Sequence, residues 1–247
     1  MEQRTVLISS AWQTIIKIVC DFMNNKTSAQ RIFIVANLML LGFLLFSIFI
    51  VMLFPAQLQR SLYQIGMTGT LLSAFLCIEQ KYRRIIRWMI VLDIVLVWAN
   101  FTMNNFVLDG LSKGLMICLY FIIVLILVKQ AASSTKVTSI VLLESVNGYL
   151  MIGLFYSIII ALIMLYNPAA FQFQSQLIGQ SDEIITNFNE YIYYGFNAFT
   201  IVTYGDVIPR SALAKSISMA IGFTGQMYVA MIIAMIIGKY AGANRKE

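Results

Sequence analysis

Long apolar stretches recur along this chain, separated by short polar ones, and this pattern excludes a soluble fold. Apolar residues make up 60% of the sequence and charged residues only 11%. A helix needs about 20 apolar residues to cross a hydrocarbon core of about 30 Å. The sequence therefore predicts an all-α, multi-pass membrane protein with six transmembrane helices, at about 32–54, 61–78, 88–107, 114–128, 139–166 and 211–238.

A seventh apolar piece, at about 190–202, is too short to cross the membrane and contains an asparagine and several tyrosines. Irregular backbone is tolerated at membrane depth only where protein or water surrounds it. We therefore predict that this piece is re-entrant, so that it enters and leaves the membrane on the same side.

Basic residues are distributed unevenly between the two sides that these spans define. With the N-terminus inside, thirteen Lys and Arg residues fall on the inner side, and only Arg60, Lys113, Arg210 and Lys215 fall on the outer side. Such an excess marks the cytoplasmic side. We expect a protein of the cell (inner) membrane with both termini cytoplasmic and 167–210 outside. Contact with anionic lipid accounts for the net charge of +6, so no nucleic-acid partner is expected.

Residues 1–31 are predicted to form a cytoplasmic amphipathic segment. Its apolar face consists of Ile8, Trp12, Ile15, Val19 and Phe22, and its polar face of Ser9, Gln13, Lys17 and Asp21. This pattern fits a helix on the inner membrane surface, and it also fits packing against a neighbouring subunit. The segment lacks an uninterrupted apolar core, so we expect no cleavable leader.

The residue types that most enzymes need are missing or scattered. The chain has no histidine, and Cys20, Cys77 and Cys118 show neither disulfide nor metal spacing. No glycine-rich phosphate loop followed by lysine occurs. We therefore expect no enzymatic activity and no cofactor apart from a permeant cation.

An acidic stretch precedes the last apolar helix. Residues 167–209 contain Asp182, Glu183, Glu190 and Asp206 and no basic residue, so an outward mouth built from them would concentrate cations. A short helix at 188–200 would dip partway into the membrane and end in VTYGD, where backbone carbonyls are released and would point toward an axis shared by several subunits. The alternative is a plain outer turn, in which Gly205 takes a positive φ and Pro209 begins the last helix.

Residues 139–242 resemble the pore module of bacterial potassium channels. YLMIGLFYSIIIALIMLYNPAAF is similar to the outer helix and turret, YIYYGFNAFTIVTYGDVIP to the pore helix and selectivity filter, and SALAKSISMAIGFTGQMYVAMIIAMIIGKY to the inner helix. For 32–138, only the four-helix layout is similar to the voltage-sensor-like domain of six-helix, voltage-gated-like channels. Residues 243–247 remain as a short cytoplasmic tail.

The resemblance implies a homotetramer in a lipid bilayer, with one central pore and a filter whose backbone carbonyls replace the water shell of the ion. The positions matching the filter pattern T-T-V-G-Y-G-D are Thr200, Val202, Tyr204, Gly205 and Asp206. By the same resemblance, K⁺ would bind the backbone of Ile201, Val202, Thr203 and Tyr204.

Two filter positions depart from the pattern. Ile201 replaces a threonine whose hydroxyl helps to form the innermost site, and Thr203 replaces a glycine whose backbone conformation is costly for a β-branched residue. Preference for potassium, weak selectivity and a non-conducting filter all stay open.

Three residues of the short helix are candidates for filter support. The resemblance implies that Tyr193 and Tyr194 pack around the filter as an aromatic cuff, although anchoring at the membrane interface is the alternative. Asn197 is polar in an otherwise apolar helix, so we expect it to bond behind the filter or to contact another subunit.

Several features of the sequence bear on how the predicted pore would open. The helix GLMICLYFIIVLILVKQ carries no basic residue inside it, so little voltage dependence is expected. Asp93 is expected to pair with Arg84 or Arg87. Gly222 and Gly225 are candidates for a hinge or for close packing. Any regulator would have to be a lipid, a cytoplasmic protein or another part of the chain.

The sequence thus favours a homotetrameric cation channel, with potassium as the expected ion. A membrane-embedded sensor or scaffold with a closed, pore-like fold is the alternative. Flux distinguishes them, because a scaffold passes no ions. A secondary transporter is disfavoured, because no inverted repeat and few buried ionisable groups are present.

Overall fold

The computed structural model describes residues 28–78, 80–103, 106–133, 139–173 and 188–244. Within them the chain is almost entirely helical. The helices are α1 (Ser28–Leu45), α2 (Ala56–Cys77), α3 (Gln80–Met103), α4 (Phe106–Ser133), α5 (Ser139–Tyr166), α6 (Phe188–Phe199) and α7 (Ala212–Asn244). A π-helical turn, Phe46–Ile50, and a 3-10 turn, Val51–Leu53, extend α1. The predicted amphipathic face at 8–22, Asp182 and Glu183 lie outside the described residues.

Four helical segments of the described chain are long and apolar enough to cross a membrane. They are Arg31–Leu53, Gly110–Gln130, Ile140–Tyr166 and Ala212–Met235. The prediction of an all-α membrane protein is confirmed at this level. Helices α2 and α3 have 22 and 24 residues, but glutamines in α2 and a basic start in α3 lower their hydropathy. The prediction of six spans therefore stays a prediction.

Helices α1 to α4 pack as neighbours, and α1 and α4 also lie against α5. Helices α1 and α2 approach closely at small residues. A Cβ built on Gly66 would lie 2.3 Å from Ser47 Oγ, and one on Gly69 would lie 2.5 Å from the Phe43 ring. Small residues allow such close contact between membrane helices.

A buried polar contact joins α1 to α5. Asn147 Nδ2 donates hydrogen bonds to the Asn37 carbonyl and to Asn37 Oδ1, at 3.0 and 3.2 Å. Both side chains are fully buried. Because an unpaired amide is costly in an apolar interior, this pair favours one register between the first helix and the fifth.

Two short strands enclose α6 and the segment after it. Strand β1 (Phe171–Phe173) pairs antiparallel with β2 (Val207–Pro209), with Gln172 opposite Ile208. Arg210 Nε donates to Gln172 Oε1 at 2.7 Å, and Arg210 N donates to the Ala170 carbonyl at 2.8 Å. The end of α5 is thereby tied to the start of α7.

The last helix does not begin at Pro209, as the alternative interpretation of a plain outer turn has it. Pro209 ends β2, and α7 begins at Ala212. Ser211 caps the helix, because its Oγ accepts a hydrogen bond of 3.0 Å from the Ala214 backbone N–H. The reason is that Pro209 pairs with Phe171 across the ribbon and so belongs to the strand.

Candidate functional site

The short helix α6 is held against α5 by contacts that only small residues permit. A Cβ on Gly153 of α5 would lie 2.4 Å from the Phe196 ring, and a Cβ on Gly195 of α6 would lie 2.6 Å from Ser157 Oγ. The two helices therefore cross with their backbones close together. This contact fixes the direction in which the C-terminal end of α6 points.

The chain folds back on that end immediately after α6. The Asn197 carbonyl accepts hydrogen bonds from the backbone N–H groups of Val202 and Thr203, at 3.1 and 3.5 Å. The N–H groups of Thr200 and Ile201 bond the carbonyls of Phe196 and Ala198, at 2.9 and 3.2 Å. The carbonyls of Phe196, Asn197 and Ala198 therefore all accept hydrogen bonds from the turn that follows α6.

The carbonyls that are free of such bonds come later. In a planar trans peptide the C=O and the N–H point in opposite directions. Because the N–H groups of residues 201 to 203 point toward α6, the carbonyls of Thr200, Ile201 and Val202 point away from it. Among the backbone hydrogen bonds that lie outside helices and strands in the described part of the chain, none is accepted by these three carbonyls.

Positive φ angles recur at every second residue of this turn, at Ile201 (59°), Thr203 (35°) and Gly205 (81°). Glycine adopts such angles freely, whereas β-branched residues do so only under constraint from their surroundings. The sequence indicated the conflict at Thr203. It gave no indication of the one at Ile201, where the resemblance marked only a missing hydroxyl.

The side chains of this segment face outward. Ile201, Val202 and Tyr204 are 46%, 50% and 72% exposed in the single chain. Thr200 bends back instead, and its Oγ1 donates to the Phe196 carbonyl at 2.8 Å. Among the predicted filter residues, the structure thus places Thr200 at the end of α6 and the next residues on a free surface.

The two predicted cuff tyrosines face different neighbours. Tyr193 lies near the far end of the segment, where a hydrogen bond with Asp206 raises the pKa of its phenol. Tyr194 is buried, with its hydroxyl 2.5 Å from Ser218 Oγ of α7 and its ring 5.1 Å from that of Phe171. Asn197 Nδ2 is buried beside the Tyr193 hydroxyl without a hydrogen bond of standard geometry.

Helix α7 touches the C-terminal end of α6 through two glycines. A Cβ on Gly225 would lie 2.0 Å from the Phe199 carbonyl oxygen, whereas one on Gly222 would lie 3.5 Å from the Ala198 carbonyl and 3.9 Å from Ile201 Cγ1. Gly225 therefore serves close packing. A hinge at either glycine stays a prediction.

Sequence reasoning missed a polar cluster that joins α2 to the start of α6. Tyr63 donates a hydrogen bond to Asn189 Oδ1, and Asn189 Nδ2 donates to Gln59 Oε1 at 2.7 Å. Gln59 Nε2 in turn donates to the Phe54 carbonyl at 2.7 Å. Gln59 and Tyr63 lie four residues apart on one face of an apolar helix, and this spacing was the available signal.

The predicted ion pair of Asp93 is wrong for the described residues. Asp93 is buried and its Oδ1 accepts no hydrogen bond, whereas Arg84 and Arg87 are exposed. The Arg87 guanidinium lies 5.9 Å from the centre of the Phe75 ring. On α3, positions 87 and 84 lie about 120° and 180° around the helix from position 93, so neither side chain reaches the same face.

No protein-family model, curated protein or solved structure matches this chain. The potassium-channel resemblance therefore rests on the motifs within residues 139–242 alone, and the family assignment stays a prediction.

Proposed function

We propose that the chain is the subunit of a homotetrameric cation channel. In this assembly, residues 200–206 of each subunit line a shared path, and potassium is the expected ion. The channel would consist of a pore domain, α5 to α7, and a four-helix domain, α1 to α4, that lacks gating charges.

The observation that carries the proposal is the backbone of residues 200–203. Their N–H groups point back to α6, so the carbonyls of Thr200, Ile201 and Val202 point outward. In the turns and loops of the described residues, no backbone N–H donates a hydrogen bond to these carbonyls. Unpaired carbonyls at membrane depth are costly unless water or a cation meets them. Rings of such carbonyls replace the hydration shell of K⁺ in selective channels.

The burial of the pore-domain helices supports an assembly. In the single chain, 67% of an apolar 18-residue stretch of α5 is buried, but only 17% of such a stretch of α7. Helix α7 lies next to the candidate path, and most of its surface is exposed in the single chain. Other copies of the chain can therefore pack against it. Packing of α7 around one axis would bring together the outward carbonyls of several subunits.

The two substitutions in the filter pattern suggest how selectivity would change. Ile201 offers no hydroxyl at the inner end of the path, and Thr203 holds a positive φ of 35°. A backbone held there by its surroundings resists adjustment. We therefore expect discrimination between K⁺ and Na⁺ below that of an unstrained, glycine-containing filter.

The test is cation flux through the purified protein in liposomes, driven separately by potassium and sodium gradients. We expect flux that favours potassium, a larger preference in Thr203→Gly and a slower flux in Asp206→Ala. Thr102→Ala, an exposed position on α3 of the four-helix domain, is the matched control and should behave as wild type. Absence of flux of either ion, in wild type and in Thr203→Gly, would refute the channel.

The strained backbone also favours a second candidate, a membrane-embedded sensor or scaffold. Ile201 and Thr203 are β-branched and both have a positive φ. This strained backbone is also compatible with a filter that does not conduct. In that case the pore-like fold would serve as a rigid core for other contacts. Zero flux with an intact homotetramer is the result that would favour this function.

A further inference from the structure

Helix α7 has one long face that no other described element covers. Met219, Phe223, Gln226, Ala230, Ile233 and Ile237 follow one another at spacings of four and three residues and are all exposed. This spacing places them in one line along the helix. We call this line the free face of α7. On the opposite side, Ile221, Gly225 and Tyr228 are buried.

The free face begins at the level of the candidate filter. The position of a Cβ on Gly222 is 3.9 Å from Ile201 Cγ1. Gln226 lies one helical turn further along α7, which is about 6 Å. It therefore lies just beyond Ile201, at the end of the path where the resemblance would place a threonine hydroxyl.

Gln226 is the one polar residue of the free face as the structure describes it. A primary amide that faces lipid at this depth pays a large desolvation penalty. The cost disappears if the amide meets water, a cation or another amide. Amide oxygens are suitable ligands for hard cations, and apolar Phe223 and Ala230 on either side offer no competing polar group.

We propose that Gln226 lines the ion path immediately beyond the filter. One amide oxygen from each subunit binds the partly hydrated monovalent cation as it passes Ile201. Together, the amides of all subunits form a ring that supplies the polar contact that Ile201 lacks. Gln226 therefore determines conduction together with the filter. This inference rests on the proposed channel function.

The first test compares potassium flux in liposomes for Gln226→Leu, Gln226→Glu and the control Met227→Leu. Loss of a hydrogen-bonding contact to a charged group predicts a fall of about tenfold for Gln226→Leu. Gln226→Glu keeps the oxygen ligands and adds charge, so flux at least equal to wild type is expected. Met227 is exposed but does not belong to the free face. The potassium flux of Met227→Leu should stay within about twofold of wild type, as expected for an apolar exchange of similar volume.

A second measurement does not depend on flux. Gln226→Cys and Leu125→Cys are made in a chain whose Cys20, Cys77 and Cys118 are replaced by serine. A positively charged, membrane-impermeant methanethiosulfonate reagent should modify position 226 at least about tenfold faster than position 125, because thiolate chemistry needs water. Leu125 is exposed on α4 of the four-helix domain and serves as the lipid-facing control.

The outcomes separate the inference from the function on which it rests. Wild-type flux with an unchanged Gln226→Leu overturns the role of Gln226 and leaves the channel standing. Equal modification of positions 226 and 125 overturns its place in the path. A wild-type protein that passes no cation overturns both the channel and the inference. Size-exclusion chromatography of each variant checks that the assembly is retained.

Discussion

Replacement of Gly225 by alanine tests whether α7 needs glycine for packing or for bending. The added Cβ would lie 2.0 Å from the Phe199 carbonyl oxygen and 3.0 Å from the Phe199 carbonyl carbon. Ordinary contact begins near 3.4 Å, so α6 and α7 would have to separate by about 1.4 Å at this point. Backbone cannot rotate away as a side chain does.

The magnitude follows from two opposing effects. Overpacking costs about 1–3 kcal/mol, whereas alanine gains about 1 kcal/mol over glycine inside a helix. Because the clash at 2.0 Å is with backbone, we expect an overpacking cost of about 2–3 kcal/mol, so Gly225→Ala should lower the free energy of unfolding by about 1–2 kcal/mol. Gly238→Ala on the same helix is the control, since no atom lies within 4 Å of its added Cβ. It should be neutral or stabilising.

The assay is unfolding of the purified protein in mixed detergent micelles, followed by tyrosine and tryptophan fluorescence, with cation flux measured in parallel. Gly222→Ala, whose Cβ would make only ordinary contacts, should be as stable as Gly238→Ala. If Gly225→Ala proves as stable as Gly238→Ala and only flux changes, the packing argument fails and a hinge is favoured instead.

Three further changes probe the neighbouring contacts. Thr203→Gly should stabilise the protein by about 1 kcal/mol, because it removes a Cβ from a residue with positive φ; an unchanged melting temperature would contradict this. Tyr63→Phe and Asn189→Ala should be coupled by about 1 kcal/mol in a double-mutant cycle of unfolding free energies, and additive effects would argue against the bond between them. Ser211→Ala should cost about 1 kcal/mol through loss of the helix cap, with exposed Ser216→Ala as control; equal effects would dismiss the cap.

The bounds of a helix could be predicted where the helix and the apolar stretch of sequence begin and end at the same residues. The fifth span, predicted at 139–166, agrees with α5 (Ser139–Tyr166), and the short helix predicted at 188–200 agrees with α6 (Phe188–Phe199). Helix α4 is longer than its predicted span of 114–128, since it runs from Phe106 to Ser133. Hydropathy marks the apolar part of a helix, and polar turns at either end are invisible to it.

The features that failed or were missed depend on contacts between distant parts of the chain. The expected pair of Asp93 with Arg84 or Arg87 ignored the direction of side chains around α3. The β1–β2 ribbon and the Tyr63–Asn189 contact join positions 36 and 126 residues apart. No local pattern encodes such a pairing. The strain at Ile201 was missed because its cause is the turn against α6, which composition does not show.

The ribbon between β1 and β2 has a consequence for how this chain can vary in length. It pairs Phe173 with Val207, and the Phe173 ring lies 5.8 Å from that of Tyr191 in α6, so the chain is held in place both at Phe173 and at the start of α6. Closure entropy grows only slowly with loop length, by about 0.6 kcal/mol for each doubling. Insertions and deletions after Phe173 should therefore be tolerated in evolution, while the segment from α6 to β2, which must reach back across a set distance, should keep its length.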